Sequence, residues 1–252
     1  MGRPLSIIYT TYNEIDIIGR SVESVAGWSD DLTVVDSYST DGTAEWIAAR
    51  SDIQLLQREY AGPADQKNWA IERARHEWIL LLDADEIVTP ELRAEIDGLL
   101  AEPPVADAYW IHRDNYFMGR QIRHSGWGND RVVRFFHRDR SRYNDRQVHE
   151  EIVTEGLRMG ELRGRLIHHT FKNLDHFLDK NRRYARWKAR DVAARTGRVG
   201  LYHLLGKPAF RFFRHYVLQM GFRDGRPGLI ISAVAAYGVF LRYAYLLAER
   251  GK

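Results

Sequence analysis

Short apolar runs, each closed by a cluster of polar residues, fill the first hundred positions of the chain. Leu5 to Thr10, Leu32 to Asp36, Ile53 to Gln57 and Trp78 to Asp83 are nearly continuous in apolar character. Strands of that kind are buried on both faces, as in a parallel sheet. The segments between them, Glu14 to Trp28, Gly42 to Arg50 and Ala64 to Arg75, have lengths that suit right-handed helical crossovers. The pattern therefore predicts an α/β fold with an open, doubly wound, mostly parallel sheet of Rossmann-like type. Ligands of such sheets gather outside the carboxyl ends of the strands. The residues just after each strand are the ones that carry chemistry.

Three polar clusters fall there: Thr10-Thr11-Tyr12-Asn13-Glu14, Asp36 through Thr43, and Asp83-Ala84-Asp85. Asp41, directly before a helix, reads as a cap for orphan amides. Asp36 ends a buried strand ahead of that cap and reads as an acceptor for a ligand. Asp83 and Asp85 are two residues apart, a spacing that on a strand puts both carboxylates on one face. Two like charges so placed call for a cation. Mg²⁺ or Mn²⁺ suits them, being hard ions that take one or two carboxylates and keep their other positions for water and phosphate oxygens.

Charge and composition change the picture beyond residue 155. Residues 1–155 carry 17 Lys and Arg against 28 Asp and Glu, a net −11, whereas residues 156–252 carry 20 against 6, a net +14. This predicts a catalytic or binding domain over 1–155 followed by a basic region over 156–252 that meets an anionic surface. Within that region Asp175 to Arg195 and Leu201 to Phe222 interleave Lys and Arg with Phe, Tyr and Trp, the composition of interfacial helices. Leu229 to Ala248 carries one charged residue, Arg242, and reads as a helix lying on a membrane or packed in a core rather than spanning. The absence of cysteine excludes a disulfide scaffold and fits a reducing cytoplasm, as does an N-terminus without a secretory pattern.

The ordered motifs Thr10 to Glu14, Val34-Val35-Asp36-Ser37 through Thr43 and Asp83-Ala84-Asp85 resemble the inverting family 2 glycosyltransferases of GT-A fold, over roughly residues 4–155. Within that family the chain looks most like bacterial enzymes that add a sugar to the lipopolysaccharide inner core. It shares with them a Val148-His149-Glu150 motif and a basic, aromatic C-terminal region. The resemblance implies a nucleotide-diphosphate sugar, in the first instance a UDP-sugar, as donor. It implies that Thr10, Tyr12 and Glu14 line the nucleoside pocket, that Asp36 accepts from the base and that Lys67 approaches the nucleotide phosphates. Asp83 would meet the ribose or the metal, and Asp85 the metal. The acceptor would be a lipid-linked glycan, reached from the inner face of the cytoplasmic membrane by a peripheral enzyme.

Inverting transfer also needs a base for the acceptor hydroxyl. The resemblance points to Glu150, with His149 as competitor and Asp145 and Glu151 as further carboxylates in the same stretch. Three other features stand open at this level. The pair His168-His169 either reaches the site or completes a strand end; Trp127 either stacks on a sugar or fills a core; Arg131 and Arg134 either contact acceptor phosphates or line a solvated edge. A nucleotidyltransferase would share the metal and nucleotide, but the loop Thr10 to Glu14 has no glycine for a phosphate cradle. A nucleic-acid-binding module would use the basic region, but has no need of acidic residues at neighbouring strand ends, so nucleic acid is not an expected partner.

Overall fold

The computed structural model describes residues 2–144 and 151–250. Four strands, β1 (Leu5–Thr11), β2 (Asp31–Asp36), β3 (Gln54–Gln57) and β4 (Trp78–Asp83), pair in parallel in the order β3-β2-β1-β4. They are joined by α1 (Ile15–Ser24), α2 (Thr43–Ala48) and α3 (Pro63–Ile71). Successive side chains of β1 enter opposite layers. Leu5, Ile7 and Tyr9 pack with Ile18 and Val22 of α1 and Ile47 of α2, while Ile8 packs with Ala64, Ala70 and Ile71 of α3. That division of helices between the two faces is what makes the sheet doubly wound.

Antiparallel strands extend the sheet beyond β4, as β8 (Arg131–His137), β6 (Ala108–Phe117), β9 (Met159–His169) and β5 (Glu86–Val88). Two residues separate β4 from β5 in sequence, yet three strands lie between them in the sheet. The antiparallel strands must therefore curl round until β5 stands near the end of β4. Helix α4 (Pro90–Ala101) opens on Thr89, whose hydroxyl caps Leu92 N at 3.3 Å, and a two-residue strand, β7 (Arg120–Gln121), pairs with the end of β6.

The chain divides into two compact units, Met1–Arg113 with Asp130–His168, and Asp114–Asn129 with His169–Lys252. The second unit is built on α5 (Leu174–Ala193), α6 (Lys207–Phe213) and α7 (Gly225–Arg250), with wide π turns on either side of α6. Buried Asp224 accepts from Arg123 N at 3.1 Å, His124 N at 3.1 Å and Ser125 Oγ at 2.8 Å, which anchors the segment before residue 130. Trp127 packs its ring among Phe117, Phe171 and Phe177, so this indole belongs to the core of the unit. Residues 221–250 are long and apolar enough to cross a membrane, and 39% of their most apolar window is buried within the protein.

One ion pair of the first unit makes its stability depend on acid. Asp107, before β6, accepts from Arg158 Nη2 at 2.9 Å and Arg158 N at 3.0 Å, which holds its pKa down from 3.8 to about 2. A carboxylate depressed on folding stabilises above its unfolded pKa and loses that contribution as pH falls through the folded value. Asp107→Asn should therefore flatten the stability profile between pH 4 and about 2. Urea midpoints across that range are the check; an unchanged acid limb would refute the linkage.

Candidate active site

The loops after β1 and β2 are bound to each other before any ligand is considered. Asn13, in the left-handed region at φ 56°, donates its N–H to Ser39 Oγ at 2.8 Å and accepts Thr40 N on Oδ1 at 2.8 Å. Asparagine tolerates that conformation better than other non-glycine residues. Glu14 N donates to Thr43 Oγ1 at 2.9 Å, and Asp41 accepts both Thr43 N at 3.0 Å and Ile15 N at 3.2 Å. Asp41 is thus a cap shared by two helix starts. Asp36 is fully buried; its carboxylate accepts Ser39 N at 2.9 Å, the Ser39 hydroxyl and Gln57 Nε2 at 3.3 Å. Those bonds set the shape of the loop Ser37 to Thr40. Thr10 lies level with Asp83 on the neighbouring strand, Glu14 opens α1, and the Tyr12 ring is exposed.

Helix α3 reaches three places at once through consecutive residues. Gln66 Nε2 donates to Ser37 Oγ at 3.1 Å, Asn68 holds the Tyr143 backbone at 2.9 and 3.0 Å, and Lys67 Nζ lies 3.3 Å from Asp83 Oδ1. Lys67 is 5% exposed and its ammonium sits 5.1 Å from the Tyr143 ring centroid, so it is a buried site cation and not a solvated helix residue.

Asp83 and Asp85 are held differently. Asp83 is the last residue of β4, but Asp85 lies in the two-residue turn to β5, so strand alternation does not place them as the spacing suggested. The Asp83 carboxylate is ion-paired to Arg134 and Lys67. Burial alone would raise its pKa, but Arg134, Lys67 and Arg113 outweigh it and hold the group well below the usual carboxylate range. Asp85 Oδ2 instead faces His168 Nε2 at 3.4 Å. The register of β5 on β9 explains the meeting, because Glu86 stands directly opposite His168.

Behind these groups lies a charged layer that sequence reading did not anticipate. Glu86, fully buried, receives Arg134 Nε at 2.8 Å, Arg134 Nη2 at 2.9 Å and Arg113 Nη1 at 3.0 Å. Arg113 also forks onto Asp130 with two bonds of 3.0 Å. Arg134 completes its set on Tyr143 Oη at 3.3 Å, and its guanidinium is held charged by Asp83 and Glu86 despite burial. Arg134 is thus no solvated edge residue. Arg131, three positions earlier on β8 and so on the other face, is exposed and stacks 4.6 Å from the Trp110 ring centroid. Three carboxylates, Asp83, Glu86 and Asp130, meet three cations, Lys67, Arg113 and Arg134. Asp85 adds a further negative charge beside an imidazole.

A carboxylate and an imidazole facing each other form a donor set that fits Mn²⁺, whereas Mg²⁺ would be met by the carboxylate oxygens, so Asp85 with His168 is the candidate holder of the divalent ion. Asp83 fits less well as a ligand because its charge is already met by Arg134 and Lys67. Another group, Glu77, His137 and Asp139, has its ligand atoms within 4.8 Å at the amino end of β4, the opposite edge of the sheet. Glu150, His149 and Asp145 lie outside the described residues.

The same fold occurs in solved glycosyltransferase structures. Mannosyltransferase PcManGT from Pyrobaculum calidifontis, solved with GDP-Man and Mn²⁺, superposes with a TM-score of 0.54 at 17% identity, covering 100% of this chain and 76% of that one. S. aureus TarS 1-349 in complex with UDP-GlcNAc superposes at 0.52 with 14% identity, over 98% and 92% of the two chains. The fold is that of the GT-A glycosyltransferases, a mixed α/β sheet with a helical C-terminal region. The model of the family described as Glycosyl transferase family 2 matches residues 6–162, and the chain belongs to that family. It is 30% identical to the lipopolysaccharide core biosynthesis glycosyltransferase LpsC of Rhizobium meliloti (strain 1021), over 96% of this chain and 91% of the relative. An uncharacterized glycosyltransferase of Rickettsia felis (strain ATCC VR-1525 / URRWXCal2) is 24% identical over 96% and 89%.

Proposed function

We propose that this glycosyltransferase moves a sugar, with inversion, from a nucleotide-diphosphate sugar to a hydroxyl of a lipid-linked glycan, in lipopolysaccharide core or related envelope synthesis. A UDP-sugar is the donor we favour. The observation that carries the reading is the mouth of the sheet, where Asp83 is held ionised by buried Lys67 and Arg134 while Asp85 faces His168. The similarity to LpsC along nearly the whole chain supports the acceptor class.

In this reading Thr10, Tyr12, Glu14 and Asp36 line or shape the nucleoside pocket, and Asp83 accepts from the ribose. Lys67 lies near enough to Asp83 to serve a phosphate oxygen as well. Asp85 with His168 would hold Mn²⁺ or Mg²⁺, which when bound neutralises charge on the departing diphosphate. Glu150 takes the proton of the acceptor hydroxyl as its oxygen bonds to the anomeric carbon. The bond from that carbon to the diphosphate breaks on the opposite face. His149 is the rival base. We assign catalysis to residues 1–155 together with β9 and its His168, so that the sequence boundary at 155 moves past this strand, and attachment to the cytoplasmic face of the membrane to residues 169–252, whose net +12 charge and exposed Leu201, Tyr202 and Phe210 suit an anionic lipid surface.

Two measurements test this. Thermal shift of the full chain across a panel of nucleotide sugars, with and without Mn²⁺, should single out one donor that stabilises more with the ion; no response to any member would refute it. Glu150→Gln should retain donor binding and lose roughly 10²-fold or more in transfer. Normal transfer by Glu150→Gln, with loss in His149→Ala, would move the base to His149.

A further inference from the structure

The helical unit contains a cavity of about 170 Å³ lined by Lys207, Arg211, Arg214 and Arg242 together with Tyr202, Phe210, Val239 and Tyr243. All eight residues belong to this unit. Four cations on so small a wall would normally be matched by carboxylates. Among the described residues no Asp or Glu forms an ion pair with any of the four. Lys207 Nζ donates to Tyr243 Oη at 2.7 Å and lies 4.6 Å from that ring centroid, while Arg211 Nη1 meets His215 Nε2 at 3.2 Å. Arg242 Nε is sealed from solvent with no acceptor.

The neighbours register this crowding. Partial burial, then Arg242 and Arg214, depress the pKa of Arg211; partial burial, then Arg211, depresses that of His215. Lys188 on α5 is depressed by burial and then by Arg242 and Arg211, with Asp191 offsetting part of the effect. A buried guanidinium N–H without an acceptor is destabilising, and more so than a neutral donor in the same position. An arrangement that keeps several like charges together and leaves one donor unmet is explained by an anionic ligand that supplies the acceptors. Guanidinium forks pair bidentately with phosphate oxygens, and the several oxygens of one phosphate can accept from more than one guanidinium at once.

The exposed side chains of the same helical run indicate what carries the phosphate. Leu201, Tyr202, Leu205, Phe210 and Phe213, on the helical run that lines the cavity, are all exposed. Apolar side chains beside a cationic cavity complement an amphiphile with an anionic head, and an exposed apolar patch rimmed by charge marks an interaction surface.

We propose that Lys207, Arg211, Arg214 and Arg242 bind the phosphomonoester of a membrane lipid, with the exposed apolar side chains of residues 201–213 taking its hydrocarbon. The proposal deepens the membrane reading above by assigning a head group and a site, and rests on that reading.

The test is co-sedimentation of the full-length protein with phosphatidylcholine vesicles containing either phosphatidic acid or phosphatidylglycerol at equal surface charge. Wild type should bind the phosphatidic acid vesicles about tenfold more tightly, as expected for added charge-assisted contacts. Arg211→Gln/Arg242→Gln should abolish the preference, whereas Arg183→Gln/Arg190→Gln, the same charge change on exposed α5 positions, should preserve it. Arg214→Gln, at an exposed position, should weaken the preference alone should the double variant not fold. Equal losses of the preference in the pocket and α5 variants would overturn the pocket while leaving general membrane attraction standing. No binding to either vesicle would overturn the membrane reading itself. Inorganic pyrophosphate binding as tightly as the lipid would overturn the lipid source, and displacement by stoichiometric single-stranded RNA would assign the site to nucleic acid.

Discussion

Asp85→Ala is expected to reduce sugar transfer by roughly 10²-fold or more while leaving the fold intact. Loss of an outer-shell partner already costs a metal site about 10–100-fold, so loss of a direct ligand sets that as a lower bound. The fold should survive because Asp85 lies in the turn between β4 and β5, outside both strands, with its side chain 30% exposed and facing His168. His168→Ala should shift the Mn²⁺ dependence of turnover in the same direction, since the two side chains stand 3.4 Å apart. The decisive readout is turnover against Mn²⁺ concentration for both variants, with circular dichroism melts alongside. Full turnover by Asp85→Ala in chelator would remove the metal from the proposal, and a metal response altered by Asp85→Ala but not His168→Ala would remove His168 alone.

That pairing shows where sequence reading reaches its limit. Continuous apolar runs such as Trp78 to Leu82 announce buried parallel strands whatever follows, and the polar residues after them could be read as site candidates. Glu86 could not. It follows the Asp83-Ala84-Asp85 motif directly and looks like one more solvated acid, and β5 is only three residues long. Its burial is intelligible only through Arg113 and Arg134, which arrive 27 and 48 residues later on strands inserted between β4 and β5 in the curled sheet.

His168 and Arg134 fail to declare themselves for the same reason. Antiparallel register, not local sequence, puts His168 opposite Glu86. The run Arg131 to Phe136 leaves open a solvated edge or a phosphate contact, whereas β8 is an inner strand with β4 and β6 on either side. Strand parity held some of the answer: residues three apart face opposite ways, so Arg131 and Arg134 never shared one environment. Asp36 shows the converse. Its position at the end of a buried strand marked it out as an acceptor for a ligand, and the partners present are Ser39 and Gln57, the first only three residues away. A local hydrogen bond of that kind competes with any ligand reading and is invisible until the loop is built.

The charged layer makes the second large prediction, on stability. Arg134→Met would remove the cation that touches both Asp83 and Glu86, leaving a fully buried Glu86 with Arg113 and an Asp83 with Lys67. Breaking a buried pair by deleting one partner costs about 3–5 kcal/mol, because the remaining charge has lost its compensation without regaining water. For a chain of this size that corresponds to a fall in Tm of roughly 6–20 °C. The pH dependence separates this cause from simple loss of packing. In the wild type the depressed pKa of Asp83 stabilises the fold above the ordinary carboxylate range, and that contribution is lost as pH falls. The variant lacks the largest attractive term on Asp83, so its stability should fall less on acidification, and the gap between the two proteins should narrow below about pH 4. Calorimetric melts from neutral pH downward measure both quantities. A Tm within 2 °C of wild type at pH 7 would show that the layer contributes little, and a gap constant with pH would assign the loss to packing instead of charge.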